Sequence, residues 1–223
     1  VPRVIAVDAV VGKLLADFIH RETRHAIAAG ANLIIYDIDS PGGDKEYAQQ
    51  VATLIAELDS SKVTSVAWVG RTATHAGALV ALSCDRIFMA TDASIGSIDV
   101  RTMRMNHGQT LEPANELNPE DQQRLLTIVT SIAKRKNRSV SLIQAMVDSS
   151  LPVSEVTHRE SGRIAWMNAN EIAAQPDEWT QGAIIEELRD GGLLPMCSPA
   201  ISRIGVDSRK NCLNPGVSYT KSR

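Results

Sequence analysis

The chain has 223 residues with a formal net charge of −3, and 43% of its residues are apolar. This is the composition of an ordinary globular protein that is long enough to bury a full core. The slightly acidic balance argues against a dedicated nucleic-acid binder, and an aromatic content of 4% is too low for a surface that stacks single-stranded bases. We therefore expect no nucleic-acid partner.

The sequence leaves the cellular compartment open. Its longest unbroken apolar stretch, Ala76 to Leu82, is far shorter than the roughly 20 residues that cross a membrane. Because the chain starts without an initiator Met or a leader pattern, we interpret it as a processed or excised segment, and the loss of a membrane anchor or signal is left open. Cys84 falls in an apolar segment and is expected to be buried. A disulfide between Cys197 and Cys212 is left open, and it would indicate an oxidising compartment.

Short apolar runs and amphipathic helical patterns alternate from the start of the chain to Ala90. Strands are predicted at Val4–Val7, Leu33–Ile38, Val63–Val69 and Arg86–Ala90, and helices at Leu14–Ile27, Tyr47–Leu58 and Ala76–Leu82. Short turns between alternating strands and helices predict a parallel sheet with helical crossovers.

The pattern changes in the second half of the chain. The polar stretch from Val100 to Leu117 is interpreted as a flap or hairpin beside the site. A long helix with an N-cap at Asn118 is predicted next, followed by a helix at 139–147, a strand at 163–167, and a helix capped by Asn168 and Glu171. We see no linker or repeat, so we predict one domain at 1–190 and an irregular tail at 191–223.

Two glycine turns carry the chemistry that the sequence suggests. Asp39-Ser40-Pro41-Gly42-Gly43 follows a buried strand, and its glycines can turn the backbone sharply and leave N–H groups free to stabilise an oxyanion. The second turn, Gly70 to Gly77, leads into a helix whose N-terminus favours negative charge. His75 lies at that junction. Each motif alone also fits a plain tight turn or a structural histidine.

Together these motifs resemble the ClpP/crotonase superfamily. The match joins residues 39–43 to Thr74-His75-Ala76-Gly77-Ala78, and within the superfamily it is most similar to the NfeD-type membrane-associated serine proteases of stomatin operons. Further matching segments are Cys84–Ala90, Ala93–Gly96, Ser131–Ala133 with Arg138, and Ile164–Ala173. The resemblance implies an α/β fold, a ClpP/crotonase-type spiral of ββα units with outer helices, and a homo-oligomer.

The resemblance also implies a Ser–Lys dyad, in which a desolvated lysine accepts the proton of the serine. Gly42, Gly43 and the amide of Ala76 would form the oxyanion hole. In this chain, however, His75 stands at the serine position and Glu120 falls at the lysine position. The sequence has no lysine between positions 62 and 134. We therefore predict that this chain is not a conventional Ser–Lys protease.

Three functions fit these substitutions. The first is a catalytically degenerate domain that binds peptide or partner proteins near a membrane, with a stomatin-like membrane protein as the partner that the resemblance implies. The second is a hydrolase in which His75 is the general base and Glu120 orients it. The third is acyl-CoA chemistry of crotonase type with Asp99 as the acid. Met103 and Met105 either line an apolar peptide groove or cover the core. We predict no metal and no cofactor.

Overall fold

Strands and helices alternate along the first half of the chain, as the sequence predicts. The computed structural model describes residues 1–98, 103–105, 111–113, 119–185, 188, 193–195, 198, 201–204 and 206. The strands are β1 (Pro2–Val7), β2 (Leu33–Ser40), β3 (Thr64–Thr74), β4 (Arg86–Met89), β5 (Ser94–Gly96), β6 (Met103–Met105), β7 (Leu111–Pro113), β8 (Val153–His158), β9 (Ile164–Asn168), β10 (Trp179–Ile184) and β11 (Leu193–Pro195). The helices are α1 (Lys13–Ala28), α2 (Lys45–Ala56), α3 (Ala76–Ser83), α4 (Pro119–Arg135), α5 (Val140–Val147) and α6 (Ala169–Ala174), with a 3₁₀ turn at Ile201–Ile204.

The main sheet has the strand order β1-β2-β3-β5-β11, with β4 also paired to β3. All its pairs are parallel except β5–β11. β3 is long because it serves two partners: residues 66–69 pair with β4, and residues 72–74 pair with β5. Parallel pairing brings the carboxyl ends of β2 and β3 to one edge of the sheet, where ligands of α/β proteins bind. The predicted α/β fold built of ββα units is confirmed.

The helix α3 forms the centre of the core. Every one of its residues is buried, and it contacts α2, α4, β2 and β3. A helix enclosed on all sides must be apolar around its whole circumference, which its Ala, Gly, Leu and Val content provides. The helix α4 buries a narrower stripe formed by Leu125, Val129, Ile132 and Ala133, as its periodicity predicts. The first residues of α3 are therefore fixed by packing on every side.

Two smaller sheets complete the described fold. β10, β8 and β9 form an antiparallel sheet in that order, and β6 pairs antiparallel with β7. The second pair confirms a hairpin in the stretch that was interpreted as a flap or hairpin. The capping pair predicted at Asn168 and Glu171 is also confirmed as a capping box at the start of α6.

The described residues beyond 190 pack onto the main sheet. β11 pairs with β5, and Val206 forms a parallel bridge with Ile87. Leu194 and Ile204 are fully buried. The proposed division into 1–190 and 191–223 stays a prediction. Asp99, Cys197 and Cys212 lie outside the described residues.

Burial of the first cysteine is confirmed. Cys84 is fully buried at the end of α3, and burial raises the pKa of its thiol to about 12. A thiol in such surroundings is unreactive, because the thiolate is the nucleophilic form. Cys84 is therefore a core residue.

Candidate functional site

The first glycine turn leaves the carboxyl end of β2 and folds back over its own last residue. Ser40 is buried there, and its hydroxyl lies 2.7 Å from the carbonyl oxygen of Ala9 and 3.1 Å from that of Gly42. The N–H of Gly42 points back at Ser40 Oγ over a long 3.4 Å. The side chain of Ser40 thus serves the turn itself, which explains a small hydroxyl residue at this position.

Both glycines of this turn are required by the backbone. Gly42 has a φ of +141°, a region that L-residues rarely adopt. A Cβ on Gly43 would lie 2.5 Å from the carbonyl oxygen of Val11, a clash that only glycine avoids. Val11 is held in turn by hydrogen bonds from its N–H to Gly42 and from Asp44 to its carbonyl, at 2.9 and 3.0 Å. The turn is therefore anchored to the segment that follows β1.

The second turn is a sharp junction between β3 and α3. His75 lies between them with φ 49° and ψ −111°, a strained conformation for any residue other than glycine. Its N–H donates to the carbonyl of Ser97 at 2.9 Å, and its own carbonyl accepts from Leu79 at 3.2 Å. Strain of this kind at a strand-to-helix turn is the geometry that lifts a nucleophile out of a sheet edge. In this chain the junction presents the imidazole of His75.

The two turns meet through close backbone packing. A Cβ on Gly77 would lie 3.0 Å from the carbonyl oxygen of Ser40, so the start of α3 rests on the end of β2. A Cβ on Gly42 would lie 3.2 Å from Cδ2 and 3.3 Å from Cβ of His75. The imidazole therefore lies against the first glycine turn. Its Nδ1 is buried and has no hydrogen-bond partner within the part of the chain that the structure describes.

The sequence placed the three proposed oxyanion-hole residues together, and the structure brings them to one place. Gly42 and Gly43 form the first turn, and Ala76 is the first residue of α3. The N–H of a first helical residue has no acceptor within its own helix. Stabilisation of an oxyanion by Gly42, Gly43 and Ala76 stays a prediction.

Glu120 lies in the first turn of α4 and is exposed. Among the described residues, no hydrogen bond or ion pair joins its carboxylate to His75. The neighbouring Asp121 instead accepts a hydrogen bond from Lys45 Nζ at 2.6 Å, and this bond lowers the pKa of Asp121. This ion pair ties the start of α4 to the start of α2, directly after the glycine turn. The predicted partnership of His75 with Glu120 stays a prediction.

A second ion pair at this edge was missed by the sequence reasoning. Arg71 Nε and Nη2 both donate to Asp39 Oδ2, at 2.9 and 2.6 Å. Local patterns could not predict this pair, because the register of β2 and β3 shifts between Ile38 and Ser40 and so brings Asp39 close to Arg71. Lys45 was missed because α4 is remote from it in sequence.

The remaining predicted site residues lie on the hairpin. The backbone of Met103 pairs with Pro113, and that of Met105 pairs with Leu111. Contact of Met103 and Met105 with a peptide stays a prediction. Within the described ranges, no group of three His, Cys, Asp or Glu side chains converges as a metal site requires.

The fold and these two turns define an α/β protein in which two glycine turns meet at one edge of a largely parallel main sheet. A family model described as "NfeD1b, N-terminal domain" matches residues 2–184. The chain therefore belongs to the NfeD1b N-terminal domain family, which confirms the resemblance seen in the sequence. The membrane protein NfeD1b of Bacillus subtilis (strain 168) is 33% identical over 153 residues, which are 69% of this chain and 32% of that protein. The chain thus spans about a third of the length of this relative.

Two solved structures of a membrane-bound stomatin-specific protease, 1510-N, share the fold. A lysine-to-alanine mutant in complex with a substrate peptide superposes with a TM-score of 0.56 and 18% identity, covering 78% of this chain and 71% of that chain. A serine-to-alanine mutant gives a TM-score of 0.55 and 18% identity, covering 78% of this chain and 75% of that chain.

No helix in the described ranges is both long and apolar enough to cross a bilayer.

Proposed function

We propose that this chain is a peptide-binding domain built on a protease fold, without Ser–Lys catalysis. The observation that carries the proposal is the position of His75. It occupies the strained junction between β3 and α3, and its ring lies against Gly42. An imidazole there fills the space beside the glycine turn, where a serine protease needs a small nucleophile and a free path to the amides.

The positions of Lys134 and Lys45 in the described part of the chain support the same proposal. Lys134 lies near the end of α4, 14 residues after Glu120 and therefore about 21 Å away along the helix axis. Lys45 is near the glycine turn in sequence, but its Nζ is bound to Asp121. Glu120 itself is a carboxylate and cannot act as a neutral amine does.

We further propose that the ligand is an apolar peptide segment of a membrane-associated partner. The hairpin of β6 and β7 carries Met103 and Met105, whose flexible thioether side chains suit variable apolar ligands. The similar protease 1510-N is described as stomatin-specific and in complex with a substrate peptide, and the similar NfeD1b is described as a membrane protein. We therefore propose a stomatin-like membrane protein as the partner. We also expect the chain to self-associate.

The test passes a mixed apolar peptide library over the immobilised chain and identifies the retained peptides by mass spectrometry. We expect intact apolar peptides to be retained by the native chain. A double variant, Met103→Glu with Met105→Glu, should retain at least ten-fold less. Ile164→Glu on β9 is the matched control, because it also places a charge at an exposed apolar site and should retain as much as the native chain. Equal retention by the double variant and the control would overturn the proposal, as would no retention by the native chain.

The second candidate function is hydrolysis with water as the nucleophile. It is favoured by Nδ1 of His75, for which the described residues offer no hydrogen-bond partner, and by the strained backbone that holds this residue. His75 would remove a proton from water, the hydroxide would add to the peptide carbonyl, and the imidazolium would return the proton to the leaving amine. Glu120 would orient the ring. Loss of cleavage in both His75→Ala and Glu120→Gln would support this function over the first.

A further inference from the structure

A groove on the outer side of α1 and α2 is separate from the site described above. Its volume is about 450 Å³, and none of the candidate site residues lines it. All six lining residues have polar or charged side chains, and four of them are arginine or histidine. The lining residues are Asp17, His20, Arg21, Arg24, His25 and Gln50.

The spacing of these residues places them on one face of α1. Positions 17, 20, 21, 24 and 25 recur at three- and four-residue intervals, which form a stripe on a helix. The opposite stripe is the buried one, formed by Ala16, Ile19, Thr23 and Ala26. A chain with a formal net charge of −3 therefore concentrates two arginines and two histidines in one and a half turns of helix.

The acidic groups near the groove are already paired. Lys13 Nζ contacts Asp17 Oδ2 at 2.9 Å, and Arg21 Nε contacts Glu22 Oε1 at 3.0 Å. Arg21 also stacks over Phe18, with its guanidinium carbon 5.4 Å from the ring centre. Arg24 has no hydrogen-bond or salt-bridge partner among the described residues. The guanidinium of Arg21 is thus held in place, whereas that of Arg24 is available to bind a ligand.

His20 adds an observation of a different kind. Its Nε2 is buried and lacks a hydrogen-bond partner among the described residues, although the side chain lines the groove. Buried polar atoms in native proteins are nearly always paired, so this one calls for an explanation. Because Nε2 is shielded from water, the imidazole ring must turn toward the groove for a bound acceptor oxygen to complete it.

We propose that the groove binds a phosphate monoester, either as a soluble compound or as the headgroup of a lipid. The oxygens of a dianion can accept charge-assisted hydrogen bonds from Arg24 and a further one from His20 Nε2. Guanidinium groups suit such oxygens because their fork of N–H donors matches the geometry. The volume exceeds that of a bare phosphate and leaves room for the group that carries it.

The first experiment titrates the chain with inorganic phosphate at constant ionic strength. Affinity is measured by calorimetry, and the histidine ring nitrogens are followed by NMR. We expect binding, with a shift of the His20 Nε2 resonance. His158 is the internal reference, because its Nδ1 already accepts a hydrogen bond from the backbone of Ser161. Its resonances should stay in place.

Arg24→Glu should weaken phosphate binding at least ten-fold. Arg159→Glu makes the same change of charge at an exposed position on the turn after β8, outside the groove, and should bind like the native chain. An equal loss in both variants would show a response to net charge alone and would overturn the proposal. Absence of any His20 shift at saturating phosphate would also overturn it.

The second experiment separates the two sources of phosphate. The chain is sedimented with phosphatidylcholine vesicles that contain or lack phosphatidic acid. Sedimentation that needs phosphatidic acid and is lost in Arg24→Glu assigns a lipid headgroup. Phosphate binding in the calorimeter without vesicle binding assigns a soluble phosphate ester. Binding of neither probe would contradict the site altogether.

Discussion

At the scale of single residues, Gly42 allows the two glycine turns to pack closely against each other. Its φ of +141° is costly for an L-residue, and a Cβ there would press on the imidazole of His75 at 3.2 Å. We expect Gly42→Ala to lower the free energy of unfolding by about 1–3 kcal/mol, measured by urea denaturation. Gly70→Ala is the control, because a Cβ on Gly70 would make only an ordinary contact of 3.7 Å with Trp68 Nε1, and Gly70 lies in β3 without a positive φ. A Gly42→Ala variant as stable as the control would contradict the described geometry.

Asp85 is a second residue whose environment gives a testable consequence. Burial alone would raise the pKa of its carboxyl, but hydrogen bonds from Lys136, Ser60 and Ser65 outweigh burial and hold the pKa below its usual range. A carboxyl with a lowered pKa contributes stability above the unfolded pKa and loses it as the pH falls below that value. The contribution of Asp85 should therefore be complete at pH 7 and decline below about pH 4.

Asp85→Asn tests this account directly. It leaves Lys136 without its partner, and the side chain of Lys136 is only 4% exposed. We expect a loss of about 3–5 kcal/mol at pH 7. The difference from the native chain should shrink as the pH is lowered, in urea denaturation at a series of pH values. Asp59→Asn breaks an exposed pair with Lys62 and should change little. A difference in the free energy of unfolding that stays constant across the whole pH range would contradict the titration assigned to Asp85.

How far the sequence predicts the site differs from residue to residue. Gly42, His75 and Ala76 could be placed together because the resemblance to the ClpP/crotonase superfamily implies that their two short motifs form one site. The strain at His75 could not be predicted, since it accompanies a hydrogen bond to Ser97, which follows β5 and lies 22 residues further along the chain. The relation of His75 to Glu120 depends on how α4 is placed against the sheet, which local patterns do not encode.

At the scale of elements, α3 is held at its end by one buried side chain. The guanidinium of Arg138 donates to the carbonyls of Leu82 at 3.2 Å and Cys84 at 2.5 Å, and also to the carbonyl of Ile204. Burial lowers the pKa of Arg138 to about 10. The arginine thus satisfies the last carbonyls of α3 and joins them to the 3₁₀ turn, in place of a capping glycine.

Arg138→Lys should therefore destabilise the fold although it keeps the positive charge. A lysine has no planar fork and cannot reach three carbonyls in this arrangement. We expect a loss of about 3 kcal/mol in urea denaturation. Arg135→Lys is the matched control, because Arg135 is exposed and makes one hydrogen bond to Ala56 at 3.2 Å. If both variants are equally stable, Arg138 does not hold the helix end.

The elements themselves follow from local patterns to different degrees. α4 and β2 were predictable because their apolar residues repeat over two or more turns or as a continuous run. β11 was not, since three residues carry no period and the strand forms only by pairing with β5 far back in the sequence. Local patterns also do not indicate that the side chains of Lys136 and Arg138, which follow α4, are buried against specific partners.

At the scale of the whole molecule, the segment beyond 190 contributes to the core. Leu194 is fully buried against the sheet, whereas Leu14 on α1 is 86% exposed. We expect Leu194→Ala to cost about 2–5 kcal/mol in thermal or urea unfolding. Leu14→Ala makes the same chemical change on the surface and should leave stability nearly unchanged. Similar effects of the two substitutions would mean that this segment does not pack as described.

We propose that the molecule as a whole is a protease fold that binds peptides without cleaving them. The most direct measurement is the hydrolysis of a mixed apolar peptide library by the native chain, beside His75→Ala and His75→Ser, with products read by mass spectrometry. We predict no cleavage above the buffer blank by any of the three. Cleavage by the native chain that is lost in His75→Ala would contradict the claim and establish a working site with His75 at its centre.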